Sequence, residues 1–111
     1  MKIHIALRLG GALAAAALLG GCQPSVANMD CEKIAEEAVR IWGETKDRPI
    51  RVTAIANERE VSRTEKEARC VGDATLSDNS TAPFNLRAYE ADNGQVLVES
   101  SNVPFTEPPR Q

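Results

Sequence analysis

Histidine and aromatic residues are scarce in this chain of 111 residues. Aromatic residues make up 4% of it, and the one histidine, His4, lies near the amino terminus. The rest of the chain therefore has no histidine for a Ser-His-Asp triad, a Cys-His pair or a histidine metal site. The sequence also contains no glycine-rich phosphate loop, nucleophile elbow or metal-ligand cluster. We therefore assign no catalytic residue, metal ligand or cofactor, and expect a protein that is not an enzyme.

The amino-terminal segment has the pattern of an export signal. Lys2 and Arg8 supply positive charge, and Leu9–Gly21 is an uncharged run of 13 residues rich in Ala, Leu and Gly. A membrane-spanning helix needs about 20 apolar residues, so this run is too short. Its length instead suits the apolar region of a signal peptide, which is roughly 7–15 residues long. The sequence therefore predicts a signal peptide over residues 1–21.

This segment ends in Leu19-Gly20-Gly21-Cys22, which resembles the lipobox of bacterial lipoproteins. The resemblance implies a diacylglycerol thioether on Cys22, cleavage before Cys22, and acylation of the new amino group, for example by palmitate. The thiol is the most nucleophilic group available for such alkylation. Gln23, rather than Asp, implies an anchor in the outer membrane that faces the periplasm. The alternatives are a secretory signal with a coincidental cysteine and a short buried helix of a cytosolic protein.

Removal of residues 1–21 leaves an acidic domain. The remaining 90 residues carry 11 Lys+Arg and 16 Asp+Glu, so the formal charge is 11 − 16 = −5. An acidic domain with charged runs of mixed sign does not suit nucleic acid, and anionic lipids repel it. We therefore expect membrane attachment through the lipid on Cys22, and no nucleic-acid partner.

The chain has three cysteines, an odd number. The lipobox resemblance accounts for Cys22 and leaves Cys31 and Cys70 as a pair. Because disulfides persist in the oxidising periplasm, we predict a structural Cys31–Cys70 bridge, which the chain-entropy model values at about 4 kcal/mol. The alternative is a redox-active or metal-binding pair, which 38 intervening residues and the lack of a C-x-x-C motif disfavour.

Hydrophobic periodicity predicts an α+β domain with two layers. Apolar residues at spacings of three and four predict an amphipathic helix over Asp30–Trp42, which Gly43 ends. Period-two alternation then predicts four strands with short connections, which favours an antiparallel meander covered on one face by the amino-terminal helix. The predicted strands are Ile50–Ala56, Ala68–Leu76, Ala82–Tyr89 and Val96–Val98.

Three further segments complete the predicted organisation. Residues 22–28 form a lipidated linker, residues 29–101 the folded domain, and residues 102–111 a proline-rich disordered tail. The highly charged residues 57–67 form a long hairpin connection. One helix followed by four strands resembles the cystatin-like architecture. The inhibitory Gln-x-Val-x-Gly loop is absent, since Gln95–Glu99 lacks the glycine, so the resemblance implies architecture alone.

The candidate binding residues are Tyr89 and Arg87, which alternate with the apolar residues of their strand and should face solvent. Tyr and Arg are enriched in binding hot spots. The alternatives are an ordinary surface tyrosine and contact through the charged connection 57–67. The chain is thus interpreted as a lipid-anchored periplasmic accessory module that binds another envelope component, either a protein or a peptidoglycan-associated assembly.

Two other classes of function stay open. The first is an exclusion or inhibitor lipoprotein of the kind that phages and plasmids carry, which no residue of this sequence distinguishes. The second is an enzyme that uses carboxylates alone, and it needs two carboxyl groups in one pocket, about 5–9.5 Å apart.

Overall fold

The computed structural model describes residues 14–18, 25–45 and 47–111. The lipobox Leu19–Cys22, including the expected lipidation site Cys22, lies outside the described residues. Of the predicted signal peptide, residues 14–18 alone fall within them.

The elements of the described chain are β1 (Ala14–Leu18), a 3-10 turn (Val26–Asn28), α1 (Cys31–Glu44), β2 (Val52–Arg63), β3 (Glu67–Leu76), β4 (Thr81–Glu90) and β5 (Val96–Ser101). The five strands form one antiparallel sheet with strand order β1-β5-β4-β3-β2. The predicted α+β class is confirmed, because β5-β4-β3-β2 is the expected four-stranded meander and α1 packs on it. The strand β1 is not part of that prediction.

The helix α1 begins and ends through side-chain caps. Asp30 Oδ1 accepts a 2.8 Å hydrogen bond from the Lys33 amide, which satisfies one of the unpaired amides of the first turn. Gly43 does not end the helix as predicted, because α1 continues to Glu44. Thr45 closes it instead, as its hydroxyl donates to the Ile41 carbonyl at 3.0 Å.

The core lies between α1 and one face of the sheet. The alternation of β3 and β4 is as predicted, with side chains at every second position buried against the helix. Trp42 is fully buried and its ring meets Phe84 edge to face, with 6.4 Å between centroids. The core side chains include Ile34, Ala38, Ile41 and Trp42 from α1, and Ala68, Cys70, Ala74, Phe84, Leu86, Ala88, Val96 and Val98 from the sheet.

The prediction that residues 57–67 form a long charged connection between two strands is wrong. β2 continues to Arg63, so the loop between β2 and β3 holds residues 64–66 alone. These charged residues fit a strand because β2 is an edge of the sheet and leaves many of their side chains in solvent. Its pairing with β3 shifts register at three places, and Asn57 adopts a positive φ of 57°. β2 lies so close to Gly72 that a Cβ there would stand 2.8 Å from Ile55 Cγ2.

Residues 102–111 form neither helix nor strand. The three prolines of this segment led us to expect a disordered tail. In the structure the segment instead lies against the sheet face opposite α1. Arg69 Nη2 donates a 2.6 Å hydrogen bond to the Glu107 carbonyl, and the Thr64 hydroxyl bonds the Arg110 carbonyl. The tail thus forms a third, partial layer, which Arg69 of β3 and Thr64 of the β2–β3 loop hold through its backbone carbonyls.

Candidate functional site

The folded domain begins closer to Cys22 than the predicted linker 22–28 allows. Val26 is fully buried within the 3-10 turn, and Met29 is also buried. Arg63 holds this segment, donating to the Val26 carbonyl at 2.9 Å and to the Met29 carbonyl at 2.7 Å. Residues 26–28 therefore belong to the domain rather than to a linker.

Cys31 and Cys70 are joined by a disulfide, with Cα atoms 5.9 Å apart. Cys31 stands at the first position of α1, and Cys70 lies on the core face of β3. The bridge therefore ties the helix layer to the sheet layer, as the predicted pairing requires. It spans a sequence separation of 39 residues.

Arg87 is buried and does not form the exposed recognition surface expected of it. Its alternation along β4 is as predicted, since it points away from the helix, but its side chain is 7% exposed. The Arg87 guanidinium bonds Glu99 Oε1 at 2.6 and 3.1 Å and lies 3.5 Å from Glu67 Oε2. Two carboxylates on the adjacent strands thus hold Arg87 against the sheet.

These residues belong to a charged layer, which we define as Glu67, Arg69, Arg87 and Glu99. Glu67 is 1% exposed and accepts a 2.8 Å hydrogen bond from Arg69 Nε. Arg87 is opposite Arg69 on β3 and opposite Glu99 on β5. The layer contains two arginines and two glutamates, so its formal charge is zero. Opposite charges must be paired when they are buried this far, because an isolated charge costs several kcal/mol to desolvate.

Tyr89 is half-buried beside this layer. The Arg87 guanidinium lies 4.6 Å from the centre of its ring, and the Arg110 guanidinium of the tail lies 4.8 Å from it. Burial, together with the charge of Glu99 and a hydrogen bond to it, raises the pKa of the Tyr89 phenol. The ring therefore packs against two cations and is only partly available to a partner.

The tail covers this face of the sheet. Phe105 lies 4.7 Å from the Arg87 guanidinium, measured to the ring centre, and Glu107 Oε2 lies 3.5 Å from Arg87 Nη1. Sequence reasoning missed the burial of Glu67 and Glu99, and it missed this tail contact. The sequence does place opposite charges on one face of neighbouring strands, which could have indicated buried ion pairs. Strand register, however, decides which of these charges meet.

A groove lies between α1 and β2 on the other side of the molecule. Its apolar floor includes Ala35, Val39 and Ile55, and its rim carries three glutamates, Glu32, Glu36 and Glu58. Glu32 and Glu36 are exposed side chains of α1. The structure brings them beside a third carboxylate from β2, so the groove suits a ligand that is cationic and partly apolar.

Within residues 14–18, 25–45 and 47–111, no group of three or more His, Cys, Asp or Glu side chains is arranged to hold a metal ion. No helix in these ranges combines the length and the apolar character needed to cross a membrane.

No family model, curated protein or solved structure matches the chain.

Proposed function

We propose that this chain is a lipid-anchored protein of the bacterial envelope, held at Cys22 and acting by binding rather than by catalysis. The observation that carries the proposal is the motif Leu19-Gly20-Gly21-Cys22, which follows a charged start and an uncharged run. The proposed site is the outer membrane, with the folded domain in the periplasm.

The buried Val26 supports a domain that works at the membrane surface. Three residues separate Cys22 from Val26, so their Cα atoms can be at most about 14 Å apart when the chain is fully extended. Arg63, which bonds the Val26 carbonyl, lies next to the short loop that joins β2 and β3. The proposed anchor would therefore hold this end of the sheet against the membrane.

The described surfaces support binding as the mode of action. The charged layer is engaged by the tail and by its own ion pairs, which gives it a structural role. The α1–β2 groove, with its apolar floor and its three glutamates, is a described surface that suits a partner. We propose that this partner is another protein of the envelope.

The test of the anchor is metabolic labelling with a palmitate analogue, followed by intact-mass measurement. The wild-type chain should lack residues 1–21 and carry the mass of a diacylglycerol and an acyl chain. Cys22→Ser should abolish labelling and leave Met1 in place. Cys31→Ser is the matched control, because it removes a thiol outside the motif and should leave labelling unchanged. Labelling of Cys22→Ser at the wild-type level would refute the proposal.

A further inference from the structure

The two long edges of the sheet offer different surfaces to another strand. Once β1 is set aside, β2 and β5 are the two outer strands. β2 carries the devices with which proteins block edge pairing: its register with β3 shifts three times, and it bears four charged side chains. These charges are Glu58, Arg59, Glu60 and Arg63.

β5 lacks these devices. It pairs with β4 over six consecutive residues with no register shift, and its sequence contains no proline, glycine or lysine. Its one charged side chain, Glu99, is 5% exposed and bonded to Arg87, so it does not repel an incoming strand. A regular edge without bulges or free charge is a template for strand addition.

A segment of the chain occupies this edge in the structure. β1 pairs antiparallel with β5 through five successive residues, from Ala14 opposite Ser101 to Leu18 opposite Leu97. β1 lies within residues 1–21, the signal peptide that the proposed lipoprotein processing removes. Cleavage before Cys22 would therefore leave β5 as an outer strand in the anchored protein.

We propose that the β5 edge of the processed protein is a docking site for an extended segment of another polypeptide, which adds as an antiparallel strand in the place of β1. The inference rests on the proposed function, because it requires removal of residues 1–21. Main-chain hydrogen bonds supply the affinity in this mode of recognition, and side chains supply the selectivity. The sequence of β1 is four alanines and a leucine, and α1 packs against β1. The incoming segment should therefore carry small apolar side chains.

A second copy of the chain suits this edge less well. Antiparallel pairing of two β5 strands reverses the direction of one domain relative to the other. The anchored end lies beside the loop between β2 and β3, and three residues connect it to Cys22. Two copies paired in this way would direct their anchored ends in opposite directions, although both are held on one membrane surface.

The test compares amide hydrogen exchange by NMR in two forms of the full chain. One form is the processed lipoprotein purified in detergent, and the other is unprocessed Cys22→Ser, which retains β1. Alternate amides of Val96–Ser101 point toward β1 in an antiparallel ladder. We expect these amides to exchange at least about tenfold faster in the processed form, since they lose their strand partner. Amides of β2 should exchange equally in both forms.

The probe for docking is a synthetic peptide that carries residues 13–19 between flanking lysines. Added to the processed protein, it should restore protection to the same alternate amides of β5 and leave β2 unchanged. The control peptide has the same side chains with N-methylated alanines, which cannot complete the ladder, and it should restore nothing.

The outcomes separate the two proposals. Purified native protein with an intact Met1 would refute the proposed function and, with it, the free edge. If residues 1–21 are absent and the peptide protects no β5 amide, the docking site alone is refuted. Full protection of β5 without peptide would also refute it, and sedimentation would then tell a dimer paired through β5 from a monomer.

Discussion

Trp42 Nε1 donates a 2.7 Å hydrogen bond to Ser100 Oγ, and both side chains are almost completely buried. The bond joins α1 to β5 across 58 residues of sequence. It gives the indole N–H its partner inside the core, so that a large aromatic ring can be buried without an unsatisfied donor.

Ser100→Ala should lower the free energy of unfolding by about 1–3 kcal/mol, because the buried indole N–H loses its acceptor. Urea unfolding followed by circular dichroism measures the change. Trp42→Phe and the double variant complete a double-mutant cycle, which isolates the bond from the loss of ring volume. A coupling energy of zero would show that this hydrogen bond does not stabilise the fold.

Replacement of both Cys31 and Cys70 by Ser should lower the free energy of unfolding by roughly 2–5 kcal/mol. The bridge restricts the unfolded chain over a separation of 39 residues, and it links the helix to the sheet. Urea titration of this double variant and of the wild type, each with and without reductant, measures the effect. Reductant should shift the wild type alone; equal midpoints for all four samples would contradict a stabilising bridge.

Arg87→Met should lower the free energy of unfolding by about 3–5 kcal/mol, because it removes the guanidinium that the buried Glu99 and Glu67 both contact. Glu67 keeps its ion pair with Arg69, so the loss falls mainly on Glu99. Arg40→Met is the matched control. Arg40 pairs with Glu37 and Glu44 on the helix surface, where its side chain is 48% exposed, so its loss should cost less than about 1 kcal/mol.

Glu99→Gln, added to Arg87→Met, removes the carboxylate that Arg87 bonds at 2.6 Å and leaves Glu67 paired with Arg69, so it should restore part of the lost stability. An Arg87→Met protein as stable as the Arg40→Met control would show that the charged layer does not hold the sheet and tail together.

Titration of the single tyrosine tests the environment of Tyr89. Burial raises the pKa of its phenol in the folded protein above the ordinary value of about 10. The folded state therefore holds the proton more strongly than the unfolded state. The resulting stabilisation is complete below pH 10 and is lost as the pH rises through the folded pKa.

Absorbance at the phenolate band follows Tyr89 alone, since the chain has one tyrosine. The midpoint should lie above that of the same protein in urea. Truncation after Asn102 removes Arg110, which favours the phenolate, and also the cover that the tail provides, which disfavours it; this variant measures which effect is larger. Equal midpoints in the folded and unfolded wild type would contradict the packed environment.

Two glycines should respond in opposite ways to alanine. Gly72→Ala should be destabilising by about 1–3 kcal/mol, because the new Cβ would stand 2.8 Å from Ile55 Cγ2 and 3.1 Å from the Ala56 carbonyl oxygen. Gly43→Ala is the paired control. It lies inside α1 with open space around it, and it should stabilise the helix by about 0.5–1 kcal/mol. Thermal unfolding of both variants measures the difference, and a shift of the same sign in both would contradict this account.

The sequence by itself determined the helix, the four-stranded meander and the Cys31–Cys70 pair. Periodicity suffices for the helix and the strands because a side chain spacing of 3.6 or 2 residues defines the face that must be buried. The apolar stripe of α1 that this spacing defines includes Trp42, which the structure buries in the core. The Cys31–Cys70 pair follows from the count of three cysteines together with the lipobox resemblance, which accounts for Cys22.

The tertiary structure decided what covers each face. Arg87 and Tyr89 point away from the helix, as the alternation of side chains along β4 requires. This alternation cannot show that the tail returns to the same face of the sheet. The partners of Arg87 come from residues 20 positions before it and 12 positions after it, and strand register alone brings them together. The extension of β2 through a charged segment and the pairing of β1 with β5 likewise depend on neighbouring strands, because backbone pairing is a property of two strands and not of one sequence segment.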